Sequence, residues 1–318
     1  MTASRPIGTT GLSTPPLVLG GNVFGWTADR RAGFAVLDAF VAGGGRMVDT
    51  ADVYSVWIDG HKGGESESLI GEWLAARGRR DDVLIATKVG MLPGEGGEGL
   101  APARIAAAVE ASLQRLRTDH IDLYYAHRDD ERQEQGAVAE AFDALVKAGK
   151  VRAIGASNFT APRLAAALDL AETKGLARYG ALQPYFNLLE RGQFPPELQR
   201  LCIDRNVGIL PYFGLASGFL TGKYRTQADL AGQARGSRVA PYLNPRGLGI
   251  LSAMDGIAAE TGATLAQIAL AWLAAQPGIT APIASATSIE QVEDLLGAMR
   301  LTLTPGQIGQ LDKASATA

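Results

Sequence analysis

Short runs of Val, Ile, Leu and Ala alternate along the chain with longer stretches whose apolar side chains recur three and four residues apart. A brief unbroken apolar run suits a buried strand, and the three-four spacing suits a helix with one face against a core. Strands are predicted at 17–20, 47–49, 83–87, 121–126, 153–155, 181–184, 208–212 and 281–284. The clearest helix is 103–117, where Ile105, Val109, Leu113 and Leu116 form one stripe and Pro102 stands near the start, where its missing N–H costs nothing. Further helices are predicted at 137–147, 161–171 and 265–275.

A repeated strand-then-helix unit builds a parallel sheet covered by helices, either as a closed (β/α)8 TIM barrel or as an open doubly wound sheet. A phosphate loop separates the two. The open dinucleotide fold wants G-x-G-x-x-G after its first strand and an acidic residue about twenty positions on. The first strand here is followed by GGNVFGW, without that spacing. The barrel is therefore predicted, as a single domain over 1–318.

In a barrel the reactive groups stand at the C-terminal ends of the strands. Those positions hold Asp49, Tyr54, Lys88, His127, Asn158 and Gln183. A phenol is a weak acid unless a cation lowers its pKa, and Lys88 is placed to do so. Asp49 can hold the ammonium, and His127 can polarise a carbonyl oxygen beside the phenol. No G-x-S-x-G, no H-E-x-x-H and no Cys/His cluster occurs, so acyl transfer and zinc hydrolysis recede and no metal is expected. Carbonyl reduction is the chemistry left.

Composition removes other classes. Thirty Lys+Arg against 33 Asp+Glu leave a net charge of -3, with no block of like charge to grip a polyanion, so no nucleic-acid or membrane partner is expected. No apolar run approaches the roughly 18 residues of a membrane span, and MTASRPIGTTGL lacks a signal core, which predicts a cytoplasmic protein. The one cysteine, Cys202, reads as a buried thiol. His61 and His120 read as loop residues, and Asp52 as either a helper of the site or polar surface.

These motifs, in this order, resemble the aldo-keto reductase superfamily along nearly the whole chain. PIGTTGLSTPPLVLGGNVFG resembles its opening hairpin and first strand, VDTADVYS carries the Asp and Tyr, IATKVG the Lys, and IDLYYAHRDD the His. IGASNF, LQPYFNLLER, PYFGLASGFLTGKY and PIASATSIEQVEDLL resemble its cofactor-binding segments. The resemblance implies a barrel with an N-terminal β-hairpin and a C-terminal helix. It implies NADP(H)-dependent reduction of an aldehyde or ketone, or the reverse, on a small-molecule carbonyl or alcohol, in a monomer or homo-oligomer. Tyr54 would be the general acid, Lys88 would depress its pKa, Asp49 would orient Lys88, and His127 would hold the carbonyl oxygen.

By the same resemblance Ser157, Asn158 and Gln183 would bond the carboxamide and Tyr212 would stack on the nicotinamide. Phe213 and Gly214 follow where the family often has Ser-Pro. Leu215, Ser217, Gly218, Leu220 and Lys223 belong to the stretch that wraps the pyrophosphate, and Ser285, Thr287 and Gln291 to the late phosphate segment. Trp26, Trp57 and Arg128 are the expected substrate contacts. The departure is that 284–299 holds no Lys or Arg, the residues that many members set on the 2'-phosphate of NADP. Lys223, Arg225 and a helix start near Ser288 remain to bind it, so NADP(H) stays ahead of NAD(H) with weakened discrimination. The alternative is a cofactor-binding sensor or partner subunit of little turnover, as in the potassium-channel beta-subunit branch.

Overall fold

A two-stranded antiparallel hairpin, β1 (Arg5–Pro6) and β2 (Ser13–Thr14), precedes eight parallel strands in the computed structural model, which describes residues 3–316. The eight are β3 (Val18–Gly20), β4 (Met47–Asp49), β5 (Leu84–Val89), β6 (Ile121–Ala126), β7 (Val151–Ser157), β8 (Tyr179–Gln183), β9 (Gly208–Ile209) and β10 (Ile283–Ala284). They pair in chain order with β10 beside β3. Thr280 N donates to Ile209 O and Ile283 N to Pro211 O, each at 2.8 Å, which closes the ring between β9 and β10. The fold is a (β/α)8 barrel.

Helices α1 (Arg30–Ala42), α2 (Glu65–Arg77), α3 (Pro102–Leu116), α4 (Gln135–Lys147), α5 (Ala161–Lys174) and α6 (Pro196–Asp204) follow β3 to β8 in turn. After β9 comes a long connection with the short α7 (Gly236–Val239), then α8 (Pro245–Thr261) and α9 (Leu265–Ala275). α10 (Ile289–Ala298) follows β10, and α11 (Pro305–Ala314) comes last. The starts are set locally: Asp29 accepts from Ala32 N at 2.9 Å, and Thr264 with Gln267 and Thr304 with Gln307 form reciprocal caps. Among the described residues no single helix is long and apolar enough to cross a membrane.

The predicted strands 208–212 and 281–284 are shorter as paired ladders because Pro211 and Pro282 have no N–H to give. The strand predicted at 153–155 extends to Val151–Ser157.

Strand alternation sorts the core into two sets. Val48, Ile85, Tyr124 and Ile154 point outward against the helices. Met47, Leu84, Ala86, Leu123, Tyr125, Ala153 and Ala181 fill the barrel, with Ile7 and Leu12 of the hairpin loop closing its lower mouth. Gly155 is required by this filling: a Cβ there would stand 2.5 Å from the Tyr125 ring. Inward positions at the upper end fall to Asp49, Lys88, Ser157 and Gln183, so the register that packs the barrel also assembles the site.

Gly155→Ala should destabilise the protein by about 1–3 kcal/mol through overpacking. Urea unfolding checks this, and an unchanged midpoint would contradict the close contact.

Candidate active site

Lys88 ends the inward row of β5 and is fully buried. Its ammonium gives one hydrogen bond each to Asp49 Oδ2 (2.6 Å), Thr50 O (2.7 Å) and Tyr54 Oη (2.9 Å). Three acceptors match three N–H donors, and a neutral amine would forfeit one of them. Burial pulls Lys88 below its ordinary pKa, and the Asp49 charge opposes that pull. Asp49 is held on its other oxygen by Gln183 Nε2 at 2.8 Å.

Tyr54 lies on the loop after β4, which buried side chains fasten. Thr50 Oγ1 donates to Ser66 Oγ (2.8 Å), Ser66 Oγ to Gly21 O (2.8 Å) and Ser55 Oγ to Phe24 O (2.9 Å). The phenol reaches Asp49 Oδ2 only at 3.3 Å. The sequence predicts that Lys88 lowers the Tyr54 pKa; in the free protein burial, and then the Asp49 charge, hold the phenol well above its ordinary value. Tyr54 therefore keeps its proton at neutral pH, with the Lys88 ammonium 2.9 Å from its oxygen.

His127 follows β6, its backbone N donating to Val89 O at 2.8 Å. Burial first, then the Lys88 and Arg128 charges, push its pKa well below the usual value. The ring is neutral, 6.2 Å from Tyr54 between centroids, and Nδ1 is buried without a partner. An Nε2–H tautomer gives the site a second uncharged donor beside the phenol, the pairing that polarises an oxygen.

From this group a cleft of about 690 Å³ runs to Gln291 at the start of α10, a volume suited to a cofactor and a small substrate together. Asn158, in a left-handed conformation (φ 55°), donates from Nδ2 to His127 O (2.8 Å) and accepts at Oδ1 from Tyr212 Oη (2.7 Å). Ser157 Oγ donates to Gln183 O at 2.7 Å. Tyr212 stacks on Tyr185, with centroids 5.3 Å apart. Ala216, Ser217 and Gly218 are successively left-handed (φ 47°, 58° and 100°); for Ala216 and Ser217 this is strain that persists only where the surroundings impose it. Ser285 Oγ donates to Asn22 Oδ1 (2.5 Å), and Gln291 Oε1 accepts from Thr287 N (2.9 Å) beside the Ser288 cap of α10.

Of the residues that the resemblance assigns to the cofactor, all but Leu220 line this cleft. The Leu220 side chain is fully buried in the helix-side core. Trp57 lines the cleft, and Trp26 stands behind it, edge to face at 5.6 Å. Arg128 is exposed and is not brought to the cleft wall. Arg225 is occupied by Asp255 at 2.8 Å. Asp52 is no surface residue: it is fully buried.

The residues that sequence reasoning missed are Arg235 and Arg238, which line the cleft together with Lys223. Among the described residues none of the three forms an ion pair with a carboxylate. Burial, and then the Arg238 charge, pull the Arg235 pKa down. The signal was the basic pair in QARGSR, within a connection that has no helical period.

The sequence profile of the aldo/keto reductase family matches residues 16–316. The chain is similar to the uncharacterized oxidoreductase YrpG of Bacillus subtilis, 35% identical over 304 residues that span 93% of this chain and 91% of that protein. It is similar to protein tas of Escherichia coli, 30% identical over 95% of this chain and 94% of the relative. Norsolorinic acid reductase B of Aspergillus parasiticus is 29% identical over 94% of this chain and 80% of its own length.

Lys88→Met should cost about 3–5 kcal/mol of stability, because Asp49 is left as an uncompensated buried charge. Adding Asp49→Asn should recover most of the loss. Equilibrium unfolding of the two variants measures this, and a single variant as stable as the native protein would contradict the buried ion pair.

Proposed function

The chain belongs to the aldo/keto reductase family, oxidoreductases that act on carbonyl groups with a nicotinamide cofactor, and from that premise we propose that it reduces an aldehyde or ketone with NADPH, Tyr54 giving the proton. The observation that carries this reading is the buried ammonium of Lys88, with all three protons engaged, 2.9 Å from a phenol that opens on the cleft. When bound, the reduced nicotinamide supplies the hydride to the carbonyl carbon.

The chain's own residues do the rest. His127 and Tyr54 donate to the carbonyl oxygen and draw charge onto it. As the carbon accepts the hydride, the Tyr54 proton passes to the oxygen, and Lys88 meets the phenolate at once. Asp49 and Thr50 keep the ammonium from turning away. Reoxidation of an alcohol runs the same transfers backwards.

Ser157, Asn158 and Gln183 offer amide and hydroxyl groups near the reacting end, and Tyr212 offers a ring face. Further along, Lys223, Arg235 and Arg238 concentrate cationic charge, none of it in an ion pair among the described residues. Two arginines that repel each other favour an anion between them. That charge supports NADP(H) over NAD(H), even though 284–299 has no basic residue. Trp57 and Met91 are each 40% exposed at the cleft, an apolar rim that suits a carbonyl compound with an apolar body.

Tyr54→Phe should lower kcat by about two to four orders of magnitude while nucleotide binding persists, since only the proton donor is lost. Steady-state kinetics decides it, and unchanged turnover would exclude Tyr54 as the acid. Arg235→Ala with Arg238→Ala should raise the NADPH KM by about 10–100-fold, the scale of lost charge-assisted hydrogen bonds, and change the NADH KM little. Equal losses for both nucleotides would contradict a role in 2'-phosphate binding.

A further inference from the structure

Behind Lys88, on the helix side of the barrel wall, lies a second set of buried charges. The chain leaving β4 runs along β5, with Asp52 N donating to Lys88 O at 3.3 Å. The Asp52 carboxylate is fully buried and neither oxygen accepts a well-formed hydrogen bond. Glu67 of α2 is also fully buried but satisfied, accepting from Thr87 Oγ1 (2.6 Å) and Arg115 Nε (2.6 Å). Arg104 of α3 comes no nearer to Asp52 than 3.6 Å, because it is engaged with Leu92 O (3.1 Å) and Glu95 O (3.2 Å). Tyr124 of β6 completes the enclosure, its hydroxyl buried and unpartnered.

An acid that serves packing alone would be paired or replaced by a neutral side chain, since a buried carboxylate without donors costs stability. With no hydrogen bond and only the long 3.6 Å contact to Arg104, Asp52 is held close to that costly state beside the strand that carries Lys88. Its field reaches the ammonium: ionised Asp52, with Asp49 and Glu67, favours the charged form of Lys88 against the pull of burial. Arg115 is committed to Glu67 and Arg104 to two carbonyls, which leaves the Asp52 charge the least compensated of the set.

We propose that Asp52 is a positioning residue of the active site, acting through Lys88 from behind the strand to keep the Lys88–Tyr54 pair in its proton-loaded form. The proposal rests on the reductase reading above. It is consistent with the titration of Asp52 itself, which burial, and then the Glu67 charge, push up to about 7 against the lowering by Arg104, Arg115 and the nearby Val53 N–H. The support given to Lys88 therefore grows as pH rises past neutrality, where the pair begins to need it.

The test is Asp52→Asn in the full chain, read in two ways, with Asp52→Glu as the conservative control. First, removing a negative charge makes proton loss from the pair easier. The alkaline limb of the kcat/KM profile for carbonyl reduction should move to lower pH by on the order of one unit in Asp52→Asn, and Asp52→Glu should return it towards the native position. Second, the native carboxyl releases its proton near 3.8 unfolded but near 7 folded, so it takes stability away as pH rises through that window and does not return it above. The Tm of Asp52→Asn relative to native should therefore rise between about pH 5 and about pH 8.

An alkaline limb that stays in place while the native enzyme turns over would overturn the proposal and leave the reductase reading intact. A Tm that falls most at the higher pH would overturn it too, since that marks an acid kept for packing. Absence of turnover in the native protein would instead count against the reductase reading, and the Tm comparison, which needs no cofactor, would still decide the charge of Asp52.

Discussion

One buried ammonium organises this molecule. Lys88 gives up water on every side and recovers it from three acceptors at 2.6, 2.7 and 2.9 Å. Each acceptor fixes a different part of the chain: Asp49 the end of β4, Thr50 O the turn after it, and Tyr54 the loop at the cleft. A cation so far from solvent is tolerable only where its partners cannot drift, because low polarity magnifies both the attraction and the cost of losing it. The barrel provides that rigidity, since inward positions on adjacent strands are locked by register and packed over the layer formed by Ala86, Leu123 and Tyr125. The same constraint explains why Gln183 reaches across from β8 to Asp49 at 2.8 Å.

The second half of the cleft is built differently. Past β9 the chain abandons regular pairing, takes left-handed turns at Phe213, Ala216, Ser217 and Gly218, and returns with Lys223, Arg235 and Arg238 on the cleft wall. Three of the left-handed non-glycine residues and three basic side chains without an ion pair among the described residues fall within this connection. The two halves touch, for the Arg235 guanidinium lies 5.2 Å from the Trp26 ring centre, and Trp26 meets Trp57 at the rim. The basic groups of the connection are thereby in contact with the aromatic rim of the cleft.

Legibility in the sequence followed periodicity. The apolar spacing predicts a helix over 265–275, and α9 occupies Leu265–Ala275, because that spacing and the Thr264 cap agree. Asp49, Lys88 and His127 stood out because each closes a strand, and strand alternation then turns them to one side. α2 escaped the periodic reading since it buries Ser66 and Glu67 among its apolar residues. The turn at Ser217 and Gly218, which sends the Leu220 side chain to the core, carries no periodic signal either. Arg235 and Arg238 were missed because a connection without period offers no way to infer which side chains turn inward. The sequence leaves Asp52 as either helper or surface because burial behind a strand depends on where α2 and α3 pack.

The most direct test of the account follows the hydride and the proton together. The purified protein would be given NADPH carrying deuterium at the transferable position and a panel of apolar aldehydes and ketones, with cofactor consumption followed in the nicotinamide band and the alcohol analysed for its isotope. The account predicts one deuterium on the carbinol carbon for each NADPH consumed. Saturable NADPH binding with no alcohol formed across the panel would contradict it and would mark a cofactor-binding protein rather than a reductase.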